Sequence, residues 1–265
     1  MKQRVISAVV LLAIMLPMLL LGGPYIRILG VIIALIIFYE IMKMRDTNMR
    51  SGAVWMSYFL LVFYILAPDL NPYGHFIADQ NIIILAIMLL TTNSILSRKN
   101  TNIVDISVML FSIIYIGNAV QALIYVRDFE LYAILYLLFI VFSTDIGALF
   151  VGKRIGKTKL APHISPNKTV EGFVGGIGSA LIVSFLYLWI LPIDTTTYPN
   201  FLVVILLSIA GQFGDLAESS IKRYYKVKDS GKIIPGHGGM FDRFDSLLFL
   251  LNVVKLLMDF GIFSF

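Results

Sequence analysis

Four polar residues near the end of a long apolar run have a spacing that suits chemistry on phosphate groups. Asp215, Glu218, Ser219 and Lys222 lie three or four residues apart, so on a helix they would form one stripe. An ionisable side chain inside an apolar run of membrane length is costly and is usually functional. For Asp215 and Glu218 a structural role stays open as the alternative, in which a neighbouring lysine neutralises the carboxylate for helix packing.

A second carboxylate pair follows where the last apolar run begins. Asp242 and Asp245 are three residues apart, and acidic residues at this place also stabilise a helix N-terminus. Mg²⁺ typically binds one or two carboxylates and completes its coordination with water and phosphate oxygens. Asp215 together with Asp242 could supply such a pair.

Glycines and basic residues fill the segment between the two carboxylate clusters. Pro235-Gly236 leads into His237-Gly238-Gly239, where glycines would let the backbone approach a ligand and point N–H groups at an anion. A plain tight turn is the alternative for these glycines. The basic side chains of the segment suit phosphate groups or anionic lipid headgroups; they are Lys222, Arg223, Lys226, Lys228 and Lys232.

Another polar stretch lies upstream. Asp145 is again an ionisable residue near the end of an apolar run, where a functional role is the first expectation. The segment from Ser165 to Thr169 then leads through Glu171 into a glycine-rich helix start. Lys168 and the unsatisfied N–H groups of a helix N-terminus would suit a phosphate.

The composition requires that these polar stretches be carried by membrane-spanning helices. Of 265 residues 58% are hydrophobic and 14% are charged, whereas a soluble domain has about 25% charged residues. The mean hydropathy is +0.88. The absence of cysteine excludes disulfides, thiolate zinc sites and cysteine nucleophiles, and three scattered histidines make a zinc site a poor explanation.

Apolar runs of about 20 residues, each long enough to cross about 30 Å of hydrocarbon, predict an all-α membrane protein with nine spans. The predicted spans are residues 5–22, 26–42, 52–67, 81–97, 103–125, 131–150, 172–192, 199–219 and 245–262, of which the third is the least regular. Lysine and arginine accumulate on the cytoplasmic side of membrane proteins. With a cytoplasmic N-terminus, only Arg27 and Arg127 of the 21 lysines and arginines would lie outside, while Lys255 lies within the last span.

Two cytoplasmic segments are longer and more polar than the other connections, namely residues 151–171 and 222–244. Polar loops held by a rigid frame are where catalytic residues usually lie. We therefore expect an N-terminal helical region over residues 1–130 and a catalytic region over residues 131–265.

The segment from Ser219 to Asp245 resembles the signature of the phosphatidate cytidylyltransferases, or CDP-diacylglycerol synthases. Every specified position of that signature is filled: Ser219, Ile221, Lys222-Arg223, Lys228-Asp229, Gly231, Ile234, Pro235, His237-Gly238-Gly239, Met240, Asp242-Arg243, Phe244 and Asp245. The segment from Ser165 to Gly172 also resembles the family, except that Val170 stands where an aromatic residue is common. The resemblance is specific over residues 143–246.

The resemblance implies that CTP and phosphatidate give CDP-diacylglycerol and pyrophosphate, in a helical and often dimeric membrane enzyme. It carries a Mg²⁺ role over to Asp215 and Asp242. Asp245, Glu218 and Asp145 are expected to support these ligands or to bind a second cation. Lys168 and Lys222 join the two aspartates as the expected catalytic residues. The expected substrate-binding residues are Ser165, Lys168, Thr169, Lys222, Arg223, Lys228, Asp229, His237, Gly238, Gly239 and Arg243.

The expected partners are CTP, phosphatidate, membrane lipids and a second copy of the chain, with no nucleic acid, at the cytoplasmic face of a bacterial plasma membrane. Two alternatives stay open. A CTP-dependent lipid kinase would share the donor, the membrane and the metal, but it would transfer the γ-phosphate. A transporter could use Asp145, Asp215 and Glu218 as an ion path, although the polar residues gather at one face and no inverted repeat is evident.

Overall fold

A computed structural model describes residues 2–70, 79–96, 101–191, 201–236 and 238–262. Within these ranges the chain forms nine helices and one short β-hairpin. The helices are α1 (Lys2–Leu21), α2 (Pro24–Met44), α3 (Gly52–Leu70), α4 (Asp79–Leu96), α5 (Ile103–Phe129), α6 (Leu131–Ile155), α7 (Val170–Ile190), α8 (Phe201–Tyr224) and α9 (Phe241–Asp259). The strands are β1 (Lys159–Ala161) and β2 (Ser165–Thr169).

Each predicted apolar run corresponds to one of these helices, including the irregular third run. A helix is the expected form because the hydrocarbon layer offers no water to bond the backbone groups. Seven helices of the described chain, α2 to α8, are long and apolar enough to cross a membrane. Neither α1 nor α9 is among these seven, so the count of nine spans and the orientation stay predictions.

The chain divides into two compact units. The first comprises Met1–Ile124 and Asp229–Phe241. Within it α1 packs on α2, α2 on α3 and α3 on α4. The segment of α5 in this unit lies against α3, since the Tyr64 hydroxyl donates to Asn118 Oδ1 at 2.7 Å. At the start of α5, Asp105 Oδ1 accepts a hydrogen bond of 2.6 Å from Arg45 Nε.

The second unit comprises Tyr125–Lys228 and Asp242–Phe265. Its main helix pair is α6 and α7, and α8 packs on both. Small residues bring α6 close to α7, because a Cβ on Gly175 would meet the Val151 side chain at about 2.5 Å and one on Gly176 would meet Thr144 O at 2.9 Å. Thr144 Oγ1 lies 2.9 Å from Ser208 Oγ, so α6 and α8 are joined by a hydroxyl pair.

The two polar segments are more ordered than loops. α6 continues to Ile155 and α8 continues to Tyr224, so Lys153, Lys222 and Arg223 are helical residues. The rest of the first segment holds the antiparallel pair β1–β2, in which Lys159 faces Thr169. The all-α expectation therefore missed one hairpin, because three-residue and five-residue strands are too short to produce a period in the sequence.

Candidate functional site

An ion pair joins the β-hairpin to α8. Lys168 Nζ lies 2.7 Å from Asp215 Oδ2, and the two side chains are 24% and 36% exposed. The same ammonium is 3.4 Å from the carbonyl oxygen of Gln212. Lys168 is on β2 and Asp215 is on α8, so the hairpin presents a cation to the acidic stripe of the helix.

A second ammonium lies between two more carboxylates. Lys222 Nζ is 2.5 Å from Glu218 Oε2 and 2.6 Å from Asp242 Oδ1. These three side chains are buried or nearly so, at 12%, 1% and 7% exposure. Glu218 Oε1 is buried and has no hydrogen-bond partner among the described residues. Lys222 thus neutralises Glu218, as in the structural alternative, and ties it to a residue of the signature.

Asp145 of α6 and Asp245 of α9 complete the acidic cluster. The charge of Asp215 acts on both, and the charge of Asp145 also acts on Asp245. Lys168 attracts Asp145, and Lys222 attracts Asp245. The second unit therefore brings together five carboxylates and two ammonium groups that are close enough to interact electrostatically. The hairpin, α6, α8 and α9 carry these groups. The five carboxylates are Asp145, Asp215, Glu218, Asp242 and Asp245.

Close packing of α8 on α9 brings the carboxylates of these two helices together. A Cβ on Gly214 would lie 2.6 Å from the carbonyl oxygen of Asp245 and 2.7 Å from Phe249 Cβ, so only a glycine allows the two helices to approach this closely. Gly214 directly precedes Asp215, and its contact on α9 is the backbone of Asp245. At this crossing point the backbone of α8 next to Asp215 therefore lies against the backbone of α9 at Asp245.

The N-terminus of α7 is held by two side chains. Thr169 is its N-cap, and its hydroxyl oxygen accepts a hydrogen bond of 3.1 Å from Gly172 N. The Glu171 carboxylate accepts hydrogen bonds of 3.1 Å from the backbone N–H groups of Lys157 and Thr158. These contacts fix both ends of the hairpin that carries Lys168. Ser165 begins β2, and its neighbour Ile164 presents a carbonyl oxygen 3.4 Å from Arg223 Nε.

The donor set suits a divalent cation that prefers oxygen. Within the described ranges, no group of three or more acidic or histidine side chains has the arrangement of metal ligands. Mg²⁺ does not require such a group, because one or two carboxylates are enough when phosphate oxygens and water supply the rest. Asp215, which is partly exposed, and the bare Oε1 of Glu218 are oxygens that could turn to a cation.

The glycine-rich part of the signature belongs to the first unit. Ile234 N donates to Gly238 O at 3.1 Å, and Gly236 and Gly238 have positive φ angles of 77° and 84°. Both glycines therefore have backbone conformations that other residues rarely adopt. Asp229 is exposed at the start of the segment. His237 lies outside the described residues, as does His75.

The remaining predicted binding residues of the second unit lie at its surface. Lys228 and Arg243 are both exposed. Arg223 is exposed as well, and its guanidinium Nη1 lies 3.3 Å from Val227 O.

Three residues with a structural role, in the second unit or in the signature segment, were not predicted from the sequence. Gln212 accepts Lys168 through its backbone and donates through Nε2 to Phe173 O at 3.1 Å. Gly214 sets the helix crossing. Glu40, in the first unit, is 1% exposed and binds the signature segment. It is the single acidic residue of α2, so the rule that flags ionisable residues in apolar spans would have found it.

Comparison with known proteins identifies the family of the chain. A sequence model of the cytidylyltransferase family matches residues 2–260. A protein of Staphylococcus haemolyticus named phosphatidate cytidylyltransferase is 38% identical over 97% of this chain and 99% of its own length. A Bacillus subtilis protein of the same name is 36% identical over 97% of each chain. The chain therefore belongs to the cytidylyltransferase family.

Proposed function

We propose that this protein transfers the CMP group of CTP to phosphatidate and releases pyrophosphate, forming CDP-diacylglycerol in phospholipid biosynthesis. The observation that carries the proposal is the cluster of the second unit, in which Lys168 and Lys222 are held by carboxylates of α8 and α9. Family membership over nearly the whole chain and the complete signature support the same reaction.

The reaction is a displacement at phosphorus. An oxygen of the lipid phosphate forms a bond to the α-phosphorus of CTP, and the bond from that phosphorus to the bridging oxygen of the β-phosphate breaks. Both reactants are anions, and two unit charges about 5 Å apart repel by roughly 3 kcal/mol at an effective dielectric near 20. Placing positive charge between the two reactants is therefore the main catalytic requirement. The phosphate is already ionised near neutral pH, so no strong base is needed.

Lys168 and Lys222 are the groups that would offset this repulsion. The Lys168 ammonium lies against Asp215, and the Lys222 ammonium lies between Glu218 and Asp242, so both point into the cluster. Asp215 and Asp242 would hold Mg²⁺, with Asp145, Glu218 and Asp245 as further ligands or as ligands of a second cation. Bound there, the cation would supply positive charge to the phosphate oxygens.

The other assignments come from the signature and are part of the proposal. The predicted substrate-binding set remains Ser165, Thr169, Arg223, Lys228, Asp229, His237, Gly238, Gly239 and Arg243, next to Lys168 and Lys222. We place the enzyme in a bacterial plasma membrane with its reaction at the cytoplasmic face, and we propose a homodimer. The basic residues of the polar segments support that orientation.

A two-label assay tests the reaction. The purified protein is incubated with phosphatidate, Mg²⁺ and CTP that carries radioactive phosphorus at either the α or the γ position. We expect the α label in the lipid and the γ label in pyrophosphate. Transfer of the γ label to the lipid with release of CDP would instead establish a lipid kinase. A protein that labels no lipid, yet moves a solute into vesicles, would establish a transporter; either result overturns the proposal.

A further inference from the structure

A buried carboxylate of α2 binds both ends of the glycine-rich signature segment, residues 229–241. Glu40 Oε2 accepts hydrogen bonds from Ser230 Oγ at 3.1 Å and from Phe241 N at 2.9 Å. Glu40 Oε1 accepts one from Met240 N at 2.9 Å. Within the described chain, the three hydrogen bonds to this carboxylate thus come from one segment. They hold the two ends of that segment next to each other.

The packing around Glu40 leaves no room for another side chain. A Cβ on Gly239 would lie 2.5 Å from each Glu40 carboxylate oxygen, and one on Gly231 would meet Cδ of Glu40 at 2.9 Å. Two glycines of the signature are therefore required by the contact with Glu40. The bridge between Ile234 and Gly238 then closes the tip of the same segment.

A buried carboxylate is costly unless hydrogen bonds satisfy it. Here the hydrogen bonds are charge-assisted, and such bonds are about twice as strong as hydrogen bonds between neutral groups. The backbone donors, Met240 and Phe241, immediately precede Asp242 in the chain. One side chain therefore fixes the backbone at both ends of the segment in which Gly238 and Gly239 are expected to bind nucleotide.

We infer that Glu40 is a positioning residue for CTP: it touches no reacting atom, and by holding Ser230, Met240 and Phe241 it keeps the two ends of the signature segment in the arrangement that binds the nucleotide. This inference rests on the proposed function for its substrate. Nothing in the sequence signature assigns a role to Glu40, which lies 190 residues before Ser230.

The main test is Glu40→Gln, which conserves size and removes the charge. The amide offers only one acceptor atom, and its NH₂ group would face a backbone N–H group in place of the second oxygen. We expect kcat/KM for CTP to fall at least about tenfold, since several charge-assisted bonds weaken together. KM for phosphatidate and the melting temperature in detergent should change no more than in the control.

The matched control is Asp105→Asn. It removes another carboxylate of the first unit that is hydrogen bonded to a neighbouring helix, through Arg45, at 14% exposure, and it lies outside the signature segment. A graded variant is Ser230→Ala, which removes one of the three bonds and keeps the charge. We expect it to fold as the wild type and to lower kcat/KM for CTP severalfold.

Direct binding of radiolabelled CTP, without phosphatidate, separates the possible failures. If Glu40→Gln and Ser230→Ala both bind and use CTP within twofold of the wild type, the inference is wrong. Equal losses for both substrates, matched by a lower melting temperature, would also overturn it, because they indicate a structural role alone. If the wild type binds CTP but labels no lipid, the proposed reaction fails, whereas the effect of the variants on CTP binding still decides the role of Glu40.

Discussion

At the level of single residues, the acidic cluster of the second unit holds more negative than positive charge. Asp145, Asp215, Glu218, Asp242 and Asp245 outnumber Lys168 and Lys222, and the closest pairs are 2.5 to 2.7 Å apart. A surplus of carboxylates at a partly desolvated site favours the binding of a further cation. Arrival of a cation together with phosphates would exchange carboxylate–ammonium pairs for carboxylate–cation and ammonium–phosphate pairs, with little change in total charge.

The first prediction concerns the two aspartates proposed to hold that cation. We expect Asp215→Asn and Asp242→Asn to fold normally and to lose at least about a hundredfold in CMP transfer, which is typical when an electrostatic group is removed from a phosphoryl-transfer site. The measurement is incorporation of CTP label into lipid at saturating Mg²⁺. Asp69→Asn, which breaks the exposed pair with Arg27 in the first unit, is the control and should retain activity. Full activity in either site variant would refute the assignment.

The second prediction separates stability from catalysis at Lys222. Lys222→Met leaves Glu218 and Asp242 without their ammonium, and breaking a buried ion pair in this way costs about 3–5 kcal/mol of folding free energy. The double variant Lys222→Met/Glu218→Gln removes one stranded charge as well. We therefore expect it to recover part of the lost thermal stability while CMP transfer stays absent. If transfer returned with stability, Lys222 would have only a structural role.

At the level of elements, the site depends on how closely α8 approaches α9. The third prediction is that Gly214→Ala lowers the free energy of unfolding by about 1–3 kcal/mol, the usual effect of overpacking. The added methyl would press on the Asp245 backbone, so CMP transfer should fall as well. Thermal unfolding in detergent and the transfer assay measure the two effects.

Gly178→Ala provides the control for that substitution. Gly178 lies in α7 of the same unit, and a Cβ there would meet nothing within 4 Å in the described structure. Because alanine favours a helix over glycine by about 1 kcal/mol, this variant should be as stable as the wild type or slightly more so. If both alanine variants behaved alike, the close approach at Gly214 would not be what sets the packing.

For the whole molecule, the distribution of lysine and arginine predicts which side of the membrane each polar segment faces. The sequence has no cysteine, so single cysteines can report on exposure without further changes. We chose Lys159→Cys, on the exposed β-hairpin, and Asp128→Cys, near the end of α5, since both side chains are exposed.

The fourth prediction is that a membrane-impermeant maleimide labels Asp128→Cys in intact cells and leaves Lys159→Cys unlabelled. In inside-out membrane vesicles the pattern should reverse, because the hairpin would then face the reagent. Labelling of Lys159→Cys in intact cells would place the hairpin outside. Since CTP is a cytosolic nucleotide, such a result would also contradict the proposed location of the reaction.

Much of this protein could be predicted from the order of its residues alone. Apolar runs of membrane length predicted the helices, because backbone groups in hydrocarbon must bond within their own helix. Ionisable residues within those runs stood out for the same reason, and the stripe from Asp215 to Lys222 follows from the helical period. Local chemistry and spacing were sufficient for these features.

Only the tertiary structure decided which of these residues meet. The pairing of Lys168 with Asp215 depends on a hairpin whose strands are too short to predict. The close approach of α8 to the Asp245 backbone depends on Gly214. The hydrogen bonds of Glu40 with Ser230, Met240 and Phe241 join positions 190 to 201 residues apart in sequence. Such contacts are set by packing between segments that are distant in sequence, and no local hydrophobic period predicts them.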